Sequence, residues 1–285
     1  MKIAIVGAGG LVGSEFARHL STHHDVLSLS HRALEIADSE AVNRVVLTER
    51  PSLIINCAVL GVDASELDPS LAWSVNVSGA ENLAKAAAAV DAEFVQFSSN
   101  YVFGGKRIGD SFYTIEDAPD AINLYGQTKL AAERAVSAAN ERCFIVRTSW
   151  LFGNGKNNFF SSVPRSLSEA VKIRAITDVW ASSTYVRDLV PRVMDIVSIR
   201  RYATYHVVNS GLCSYYEFAL EAARILEISE SELMALIESI KLSDLQLHAK
   251  RPGYTPLTCR VSEEIGLAPL RDWRAALAEH VGKVG

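Results

Sequence analysis

The sequence predicts an α/β protein built on a doubly wound parallel sheet, with a smaller C-terminal lobe. Three observations support this prediction. Short apolar runs alternate about five times with longer stretches of helical period, a glycine-rich turn follows the first apolar run, and the rhythm changes after Trp150. Such alternation is typical of βαβ units, whose helices cover both faces of a sheet. We therefore expect a sheet domain over residues 1–150, to which later segments return, and a lobe over residues 151–285.

The strands and helices of the first half are predicted from hydrophobic period. Apolar runs predict strands over residues 2–6, 26–30, 53–56, 94–98 and 143–147. Helical patterns cover residues 11–21, 38–49, 71–89 and 125–140. A polar stretch rich in glycine and asparagine, residues 153–158, then leads into shorter elements without a repeat.

Composition limits the function classes that remain. The 285 residues are 49% apolar, and 28 basic against 33 acidic residues give a net charge of −5, without a basic run that would suit nucleic acid. The first apolar run is too short for a signal peptide or a membrane span, so we expect a cytoplasmic protein with no membrane partner. Cys57, Cys143, Cys213 and Cys259 form no metal-binding spacing, which predicts reduced, buried thiols and no metal site.

The turn after the first strand reads Gly7-Ala8-Gly9-Gly10-Leu11-Val12-Gly13. Gly7 permits a tight turn, Gly10 lets a pyrophosphate approach the amides at a helix N-terminus, and Gly13 allows close packing of helix on sheet. The spacing is GxxGxxG rather than GxGxxG. Alone it would indicate only a turn that needs positive φ, but between a strand and a helix it predicts a Rossmann dinucleotide site.

The end of the second strand predicts which dinucleotide is preferred. It reads Ser30-His31-Arg32 and lacks the carboxylate that usually holds the ribose 2′-hydroxyl of NAD. The guanidinium of Arg32 would suit a 2′-phosphate. The sequence therefore predicts NADPH as the cofactor, with NADH as the alternative if Arg32 is only a solvated loop residue.

Three residues form a candidate catalytic centre. Tyr125 and Lys129 are four residues apart, on one face of a predicted helix. A nearby cation lowers the pKa of a phenol from about 10 toward the range useful for acid–base catalysis. Ser99 ends the fourth strand, at the sheet edge where ligands bind, and its hydroxyl could bind a substrate carbonyl. A tyrosine and lysine at this spacing alone would indicate only an ordinary amphipathic helix.

These residues make the chain similar to the extended short-chain dehydrogenases, and within them to the dTDP-4-dehydrorhamnose reductases. The similarity runs nearly end to end. It covers the glycine turn, residues 32–38, Asn56-Cys57-Ala58 with Val62-Asp63, Val75-Asn76, residues 98–103, residues 125–129, Arg147-Thr148-Ser149-Trp150, residues 209–211 with 217–219, and Arg251-Pro252.

The resemblance implies an activity and a set of site residues. It implies that NAD(P)H delivers hydride to C4 of a nucleotide-linked 4-keto-6-deoxy sugar while Tyr125 protonates the keto oxygen, a step of deoxysugar biosynthesis. Ser99 would orient the carbonyl, and Lys129 would tune Tyr125 and bind the nicotinamide ribose. The implied cofactor-binding residues are Gly7, Gly10, Leu11, Val12, Gly13, Ser30, Arg32, Ile36, Cys57, Ala58, Val59, Asn76, Tyr125 and Lys129. The implied substrate-binding residues are Ser99, Asn100, Tyr101, Trp150 and Arg251, the last for the phosphates.

Three departures from the family pattern concern the substrate. Ser99-Asn100 replaces the usual Thr-Asp, Val59-Leu60-Gly61 is apolar in a loop one residue shorter than usual, and Trp180 stands where a smaller or polar residue is typical. All three would face the sugar. A different sugar or a non-sugar substrate therefore stays open, whereas the hydride chemistry is expected to be retained.

Two other functions fit the same fold. One is a sugar-nucleotide epimerase or dehydratase that recycles a tightly bound cofactor, although such enzymes tend to be longer and to carry more carboxylates. The other is a non-catalytic regulatory subunit, which would have no physical need for Ser99, Tyr125 and Lys129 together. A homodimer is the default expectation for assembly.

Overall fold

The structure is a computed structural model that describes residues 1–107, 111–155, 157–258 and 264–283. Cys259 and Lys156, which the sequence analysis includes among the thiols and in the polar stretch, lie outside the described residues. The strands are β1 (Lys2–Val6), β2 (Asp25–Leu29), β3 (Leu53–Asn56), β4 (Glu93–Ser99), β5 (Cys143–Thr148), β6 (Leu151–Phe152), β7 (Ile173–Ile176), β8 (Trp180–Ala181), β9 (Thr184–Tyr185), β10 (Thr204–His206), β11 (Asn209–Ser210), β12 (Cys213–Ser214), β13 (Ile237–Ile240), β14 (Tyr254–Thr255) and β15 (Leu270–Asp272).

The helices of the described residues alternate with these strands. They are α1 (Leu11–Leu20), α2 (Ser39–Glu49), α3 (Val62–Leu67), α4 (Pro69–Trp73), α5 (Ala80–Ala89), α6 (Leu124–Ala139), α7 (Phe159–Ser168), α8 (Val186–Ile199), α9 (Tyr215–Ile225), α10 (Glu230–Leu236) and α11 (Trp273–Val281). A π-helix, Ser74–Gly79, joins α4 to α5, and the 3₁₀ turn Asn100–Val102 follows β4. No helix within these ranges is long and apolar enough to cross a membrane.

The main sheet has, in the described chain, six parallel strands in the order β10-β5-β4-β3-β1-β2. The predicted doubly wound fold is confirmed, and each of the five predicted strands is found within one residue of its expected ends. Strand β10 was not predicted, because a run of three residues carries no clear period. The predicted helix over residues 71–89 is helical but contains the π-helix, which a hydrophobic pattern cannot reveal.

Both faces of the sheet are buried. Side chains of α1 and α8, such as Phe16 and Val193, pack with Ile5 on one face, and Leu83 of α5 and Val136 of α6 pack on the other. The residues after 150 thus add a strand and a covering helix to the sheet. They also form a second core around Phe152, Phe218 and Trp273.

A buried histidine lies on β10, the edge strand of the main sheet. His206 is 2% exposed, and its Nδ1 lies 3.0 Å from the carbonyl oxygen of Thr258 and 3.2 Å from that of Tyr113. Two carbonyl acceptors require Nδ1 to carry a proton. Burial, with a smaller effect of the Arg147 charge, lowers the pKa of His206 to about 3.

We expect this histidine to make the fold sensitive to acid. The unfolded ring titrates near 6.5, so between that pH and about 3 the unfolded chain binds the extra proton, and the free energy of unfolding falls as the pH falls. The loss between about pH 6.5 and about pH 5 should be about 2 kcal/mol. Urea unfolding at the two pH values should show a smaller loss in His206→Asn and the full loss in the exposed-histidine control His23→Gln. An undiminished loss in His206→Asn would contradict the assignment.

Candidate active site

Glycine is required at both ends of the turn between β1 and α1. Gly7 has φ +77°, its N–H donates to the carbonyl of Leu29 over 2.8 Å, and a Cβ there would lie 2.7 Å from the nitrogen of Ala58. A Cβ on Gly13 would lie 2.4 Å from the carbonyl oxygen of Gly7. The start of α1 is therefore pressed against the turn. No side chain caps this helix, so its first amides are free to bind an anion.

The middle of the turn is open. A Cβ on Gly9 would meet nothing within 4 Å, and one on Gly10 would meet only the Gly7 carbonyl, at an ordinary 3.4 Å. Neither residue has a positive φ, so the protein itself does not require glycine at these two positions. The space beside them suits a close ligand. Leu11 and Val12 bury their side chains in the core, which leaves their amides as the groups available to a cofactor.

Two alanine substitutions should separate ligand contact from packing. In Gly10→Ala the new methyl group meets no close protein atom, so thermal stability should be unchanged while the Kd for the dinucleotide rises about tenfold or more, equivalent to about 1.4 kcal/mol. Gly13→Ala should destabilise the fold by about 1–3 kcal/mol through overpacking. Thermal unfolding and calorimetric titration with NADPH measure both effects. Unchanged NADPH affinity in Gly10→Ala would contradict a cofactor at this turn.

The residues predicted to hold the adenosine end differ in exposure. Ser30 is half-buried and Arg32 is exposed, with no ion-pair partner in the described part of the chain. Ile36 is 3% exposed, and a Cβ on Gly79 would lie 2.5 Å from its Cγ1. The side chain of Ile36 therefore belongs to the core, while the guanidinium of Arg32 is free to meet a phosphate.

The π-helix carries Asn76 to the loop that follows β3. Its Oδ1 accepts from the N–H of Leu60 over 2.8 Å, and its Nδ2 donates to the hydroxyl of Thr128 over 3.0 Å. Thr128 lies between Tyr125 and Lys129, so this buried amide ties the 57–60 loop to the helix with the candidate catalytic residues. Asn76 is predicted by the resemblance to bind the cofactor, and the structure adds this bracing contact.

The loop itself lies beside the amino group of Lys129. Cys57 and Ala58 are half-buried, and Val59 is 46% exposed. Burial raises the pKa of the Cys57 thiol well above its ordinary value, and the nearby Lys129 charge opposes this shift only in part. Cys57 is therefore a neutral thiol rather than a nucleophile.

Helix α6 is held against the end of β4 by a contact that only glycine allows. The side chain of Asn123 caps the helix by accepting from the N–H of Gly126 over 2.8 Å. A Cβ on Gly126 would lie 2.0 Å from the carbonyl oxygen of Tyr101. This approach brings Tyr125, in the first turn of α6, to Ser99, the last residue of β4. The sequence analysis did not identify Gly126, because only the folded contact explains it.

The three candidate catalytic residues come together at this contact. Burial raises the pKa of Tyr125, and a hydrogen bond with the Ser99 hydroxyl opposes this rise only in part. The lowering of this pKa that the sequence predicts from Lys129 is therefore not found in the structure, because burial outweighs it. Lys129 is 3% exposed, and burial lowers its pKa to about 8, against the opposing effects of Glu133 and Cys57. A hydroxyl, a phenol and a readily titrated amine thus lie together, and the amine is near Cys57, which packs against Gly7 of the glycine turn. Such a group can move a proton to or from a bound carbonyl.

The polar residue after Ser99 links two parts of the fold. Asn100 accepts from the Ser99 hydroxyl over 3.1 Å and donates from Nδ2 to the hydroxyl of Thr255, on β14, over 2.7 Å. The ring of the next residue, Tyr101, meets that of Tyr125 edge to face at 5.9 Å. Asn100 is therefore committed to protein contacts, and Tyr101 is the neighbour of the phenol.

Trp150 has a strained backbone in an aromatic cluster. Its φ is +38°, in the left-handed region that side chains other than glycine rarely adopt. The indole stacks on Phe160 at 4.7 Å and leans on Tyr215 at 4.4 Å. Strain of this kind persists where surrounding packing fixes it, often beside a ligand.

Arg251 lines a cavity of about 220 Å³ beside this cluster. Its Nη2 donates to Asp63 over 2.5 Å and its Nη1 to the carbonyl of Ala249 over 3.0 Å. The cavity is otherwise largely apolar, with lining residues that include Phe159, Arg174, Ile176, Tyr215 and Leu245. Trp180 pairs with Tyr254 and Ser214 in a small sheet and is not among the lining residues. The described residues contain no cluster of acidic, histidine or cysteine side chains that could hold a metal.

The whole chain, residues 1–285, matches the model of a protein family described as RmlD substrate binding domain. It is 37% identical to a dTDP-4-dehydrorhamnose reductase of Mycolicibacterium smegmatis, over 99% of this chain and 86% of the relative. A crystal structure of a dTDP-4-dehydrorhamnose reductase from Clostridium acetobutylicum superposes with a TM-score of 0.91 at 32% identity, covering 100% of this chain and 99% of that one. The structure of the Bacillus anthracis dTDP-4-dehydrorhamnose reductase, solved in complex with NADP, superposes with a TM-score of 0.92 at 31% identity, and 99% of each chain is covered.

Proposed function

The chain belongs to the RmlD substrate binding domain family, and on that premise we propose that it is an NADPH-dependent reductase of a nucleotide-linked 4-keto-6-deoxy sugar in deoxysugar biosynthesis. The observation that carries the proposal is the meeting of Tyr125 with Ser99, one helical turn from the buried amine of Lys129. A regulatory subunit would not need this arrangement.

Each catalytic residue has a defined role in the proposed reaction. The glycine turn would hold NADPH, which when bound would supply the hydride for C4 of the sugar. Tyr125 donates a proton to the C4 keto oxygen, and Ser99 hydrogen-bonds the same oxygen and orients it. Lys129, when charged, stabilises the phenolate that remains and hydrogen-bonds the nicotinamide ribose.

We propose that the nucleotide of the substrate binds in the cavity beside Trp150. Its largely apolar wall, with Tyr215 and Phe159, suits a base and a deoxyribose, while Arg251 and Arg174 supply positive charge for a diphosphate. Tyr101 contacts the ring of Tyr125, and Trp150 contacts Tyr215 of the cavity wall, so we propose that the sugar binds along these two aromatic residues. We also propose the division into an NADP-binding domain over residues 1–150 and a mainly substrate-binding lobe over residues 151–285. The cytoplasmic location and a homodimer remain predictions.

We expect Arg32 to select the cofactor. Because its guanidinium is exposed and unpaired among the described ion pairs, it can form charged hydrogen bonds with a 2′-phosphate, each worth about 1.5–3 kcal/mol. Arg32→Ala should therefore raise the Kd for NADPH about tenfold to a hundredfold and leave the Kd for NADH nearly unchanged. Fluorescence titration with both cofactors measures this, and Arg44→Ala, at another exposed arginine, is the control. An equal loss of affinity for both cofactors would show that Arg32 does not bind the 2′-phosphate.

The proposal is tested by mixing the purified protein with NADPH and dTDP-4-keto-6-deoxy-L-lyxo-hexulose and following the absorbance of the reduced nicotinamide. Oxidation that depends on the sugar nucleotide supports the reductase. Turnover only with other keto-sugar nucleotides would keep the chemistry and change the substrate, as the departures at Ser99-Asn100 and Trp180 leave open. Tight NADPH binding without turnover of any keto sugar would instead favour the regulatory subunit.

A further inference from the structure

A buried ion pair lies one helical turn beyond Lys129. Glu133 and Arg147 are 7% and 5% exposed. The carboxylate of Glu133 accepts from Nε and Nη2 of Arg147 over 2.8 and 2.7 Å, and from the hydroxyl of Ser98 over 2.5 Å. One carboxylate on α6 thus receives hydrogen bonds from β4 and β5.

These hydrogen bonds reach both halves of the catalytic centre. Ser98 immediately precedes Ser99 on β4 and is the register partner of Arg147 on β5. Glu133 follows Lys129 by four residues, so its carboxylate lies on the same helix face. Any shift of α6 along the sheet would break all three bonds and change the distance between Tyr125 and Ser99.

We propose that Glu133 and Arg147 act as a positioning pair, which holds Tyr125 against Ser99 and keeps the charge around Lys129 balanced. This inference rests on the proposed function, in which those residues carry out proton transfer. Neither member of the pair touches the substrate.

Charge balance follows from the burial of the pair. The carboxylate of Glu133 favours the charged form of Lys129 and opposes the lowering of its pKa by burial. Arg147 is positively charged and pairs with the same carboxylate, so it limits the effect of Glu133 on the pKa of Lys129. Removing Glu133 leaves an uncompensated cation near the centre, and removing Arg147 leaves an uncompensated anion. The two single variants should therefore shift the titration of the centre in opposite directions.

Among the described residues, few other ionisable groups affect the pKa of Lys129. The charge effects on its pKa come from Glu133 and Cys57. His206 and Arg147 both contact the ring of Phe103. His206 is neutral above about pH 4, because its pKa is lowered to about 3. The remaining ionisable side chains on elements packed against α6 are Asp63 and Glu66 on α3, Glu81 and Lys85 on α5, Glu93 on β4, Tyr101 in the 3₁₀ turn and Cys143 on β5.

The test compares the pH dependence of kcat/KM in the wild type, in each single variant of the pair and in the double variant. Glu133→Gln should move the profile of kcat/KM for the keto sugar about one unit toward acid, and Arg147→Met about one unit toward alkali. The neutral double variant, Glu133→Gln with Arg147→Met, should return the profile to its wild-type position, with kcat reduced about 10- to 100-fold by loosened geometry. Ser98→Ala keeps both charges and should lower kcat without a shift. Glu169→Gln, in an exposed ion pair with Arg165 at the end of α7, should change neither property.

A second readout needs no substrate. The phenolate absorbance that Tyr125→Phe removes can be titrated in wild type and in the folded variants, as monitored by circular dichroism. An acid shift in Glu133→Gln that the double variant reverses supports the proposal even if the wild type reduces no keto sugar, which would be a failure of the proposed function alone. Unshifted profiles and unshifted phenolate titrations in Glu133→Gln and in the double variant would overturn it, because the pair would then be only structural.

Discussion

Replacing Tyr125 with phenylalanine is expected to lower kcat for the keto sugar by about 10²- to 10⁴-fold, with little change in NADPH binding. The magnitude is that of a lost general acid. The substitution removes one hydroxyl and keeps the ring, whose edge-to-face contact with Tyr101 at 5.9 Å supports the local packing. Stopped-flow measurement of nicotinamide oxidation under single-turnover conditions reports the chemical step directly.

The matched control is Tyr202→Phe. That phenol donates to Glu93, at the start of β4, over 2.8 Å and lies at the opposite end of the strand from Ser99. It should keep wild-type turnover. If Tyr125→Phe turned over at the wild-type rate, another group would be the proton donor, and the assignment of the catalytic centre would be wrong.

The second large effect is expected from Lys129→Met. Its loss should reduce kcat/KM by about 10²-fold or more, because the Tyr125 phenolate then lacks a nearby cation and the nicotinamide ribose lacks the hydrogen bond from this amine. The pH profile adds a signature. The pKa of Lys129 is lowered to about 8, so the amine is charged below that pH and neutral above it. Reduction needs the charged form, so wild-type kcat/KM should fall as the pH rises through about 8.

In Lys129→Met the fall of kcat/KM above about pH 8, the alkaline limb of the profile, should disappear, and kcat/KM should stay low at every pH. Steady-state kinetics over a pH series measures both features, with Lys85→Met, an exposed lysine on α5, as the control. A limb near pH 8 that persists in Lys129→Met would assign the titration to another residue and would contradict the role given to this amine.

The fold was predictable because hydrophobic period follows from burial. Strands buried on both faces, such as Leu53–Asn56 with its three leading apolar residues, form apolar runs, and helices that cover them are apolar on one side. The three-residue strand β10 is too short for a period, and the π-helix Ser74–Gly79 differs from an α-helix by its hydrogen bonds rather than by its pattern. Both features depend on contacts between distant segments.

The candidate site was predictable where a local motif fixes geometry. The glycine turn and the four-residue spacing of Tyr125 and Lys129 are local motifs of this kind. Long-range partners were not predictable. Arg251 is held by Asp63, 188 residues away, and Asn100 by Thr255, 155 residues away, while the side chain of Ile36 is used in the core. Gly126 and Glu133 have roles only because β4 and β5 lie against α6.

The proposed reaction is net hydride transfer from NADPH to a keto sugar. Its test is incubation of the protein with dTDP-4-keto-6-deoxy-L-lyxo-hexulose and NADPH that carries deuterium at both C4 positions of the nicotinamide, followed by NMR of the product. We expect one deuterium at C4 of the sugar for each NADPH oxidised, and transfer about 10²- to 10⁴-fold slower with Tyr125→Phe. A sugar that is isomerised or dehydrated while the cofactor is regenerated would contradict the reductase and indicate an enzyme that recycles its dinucleotide.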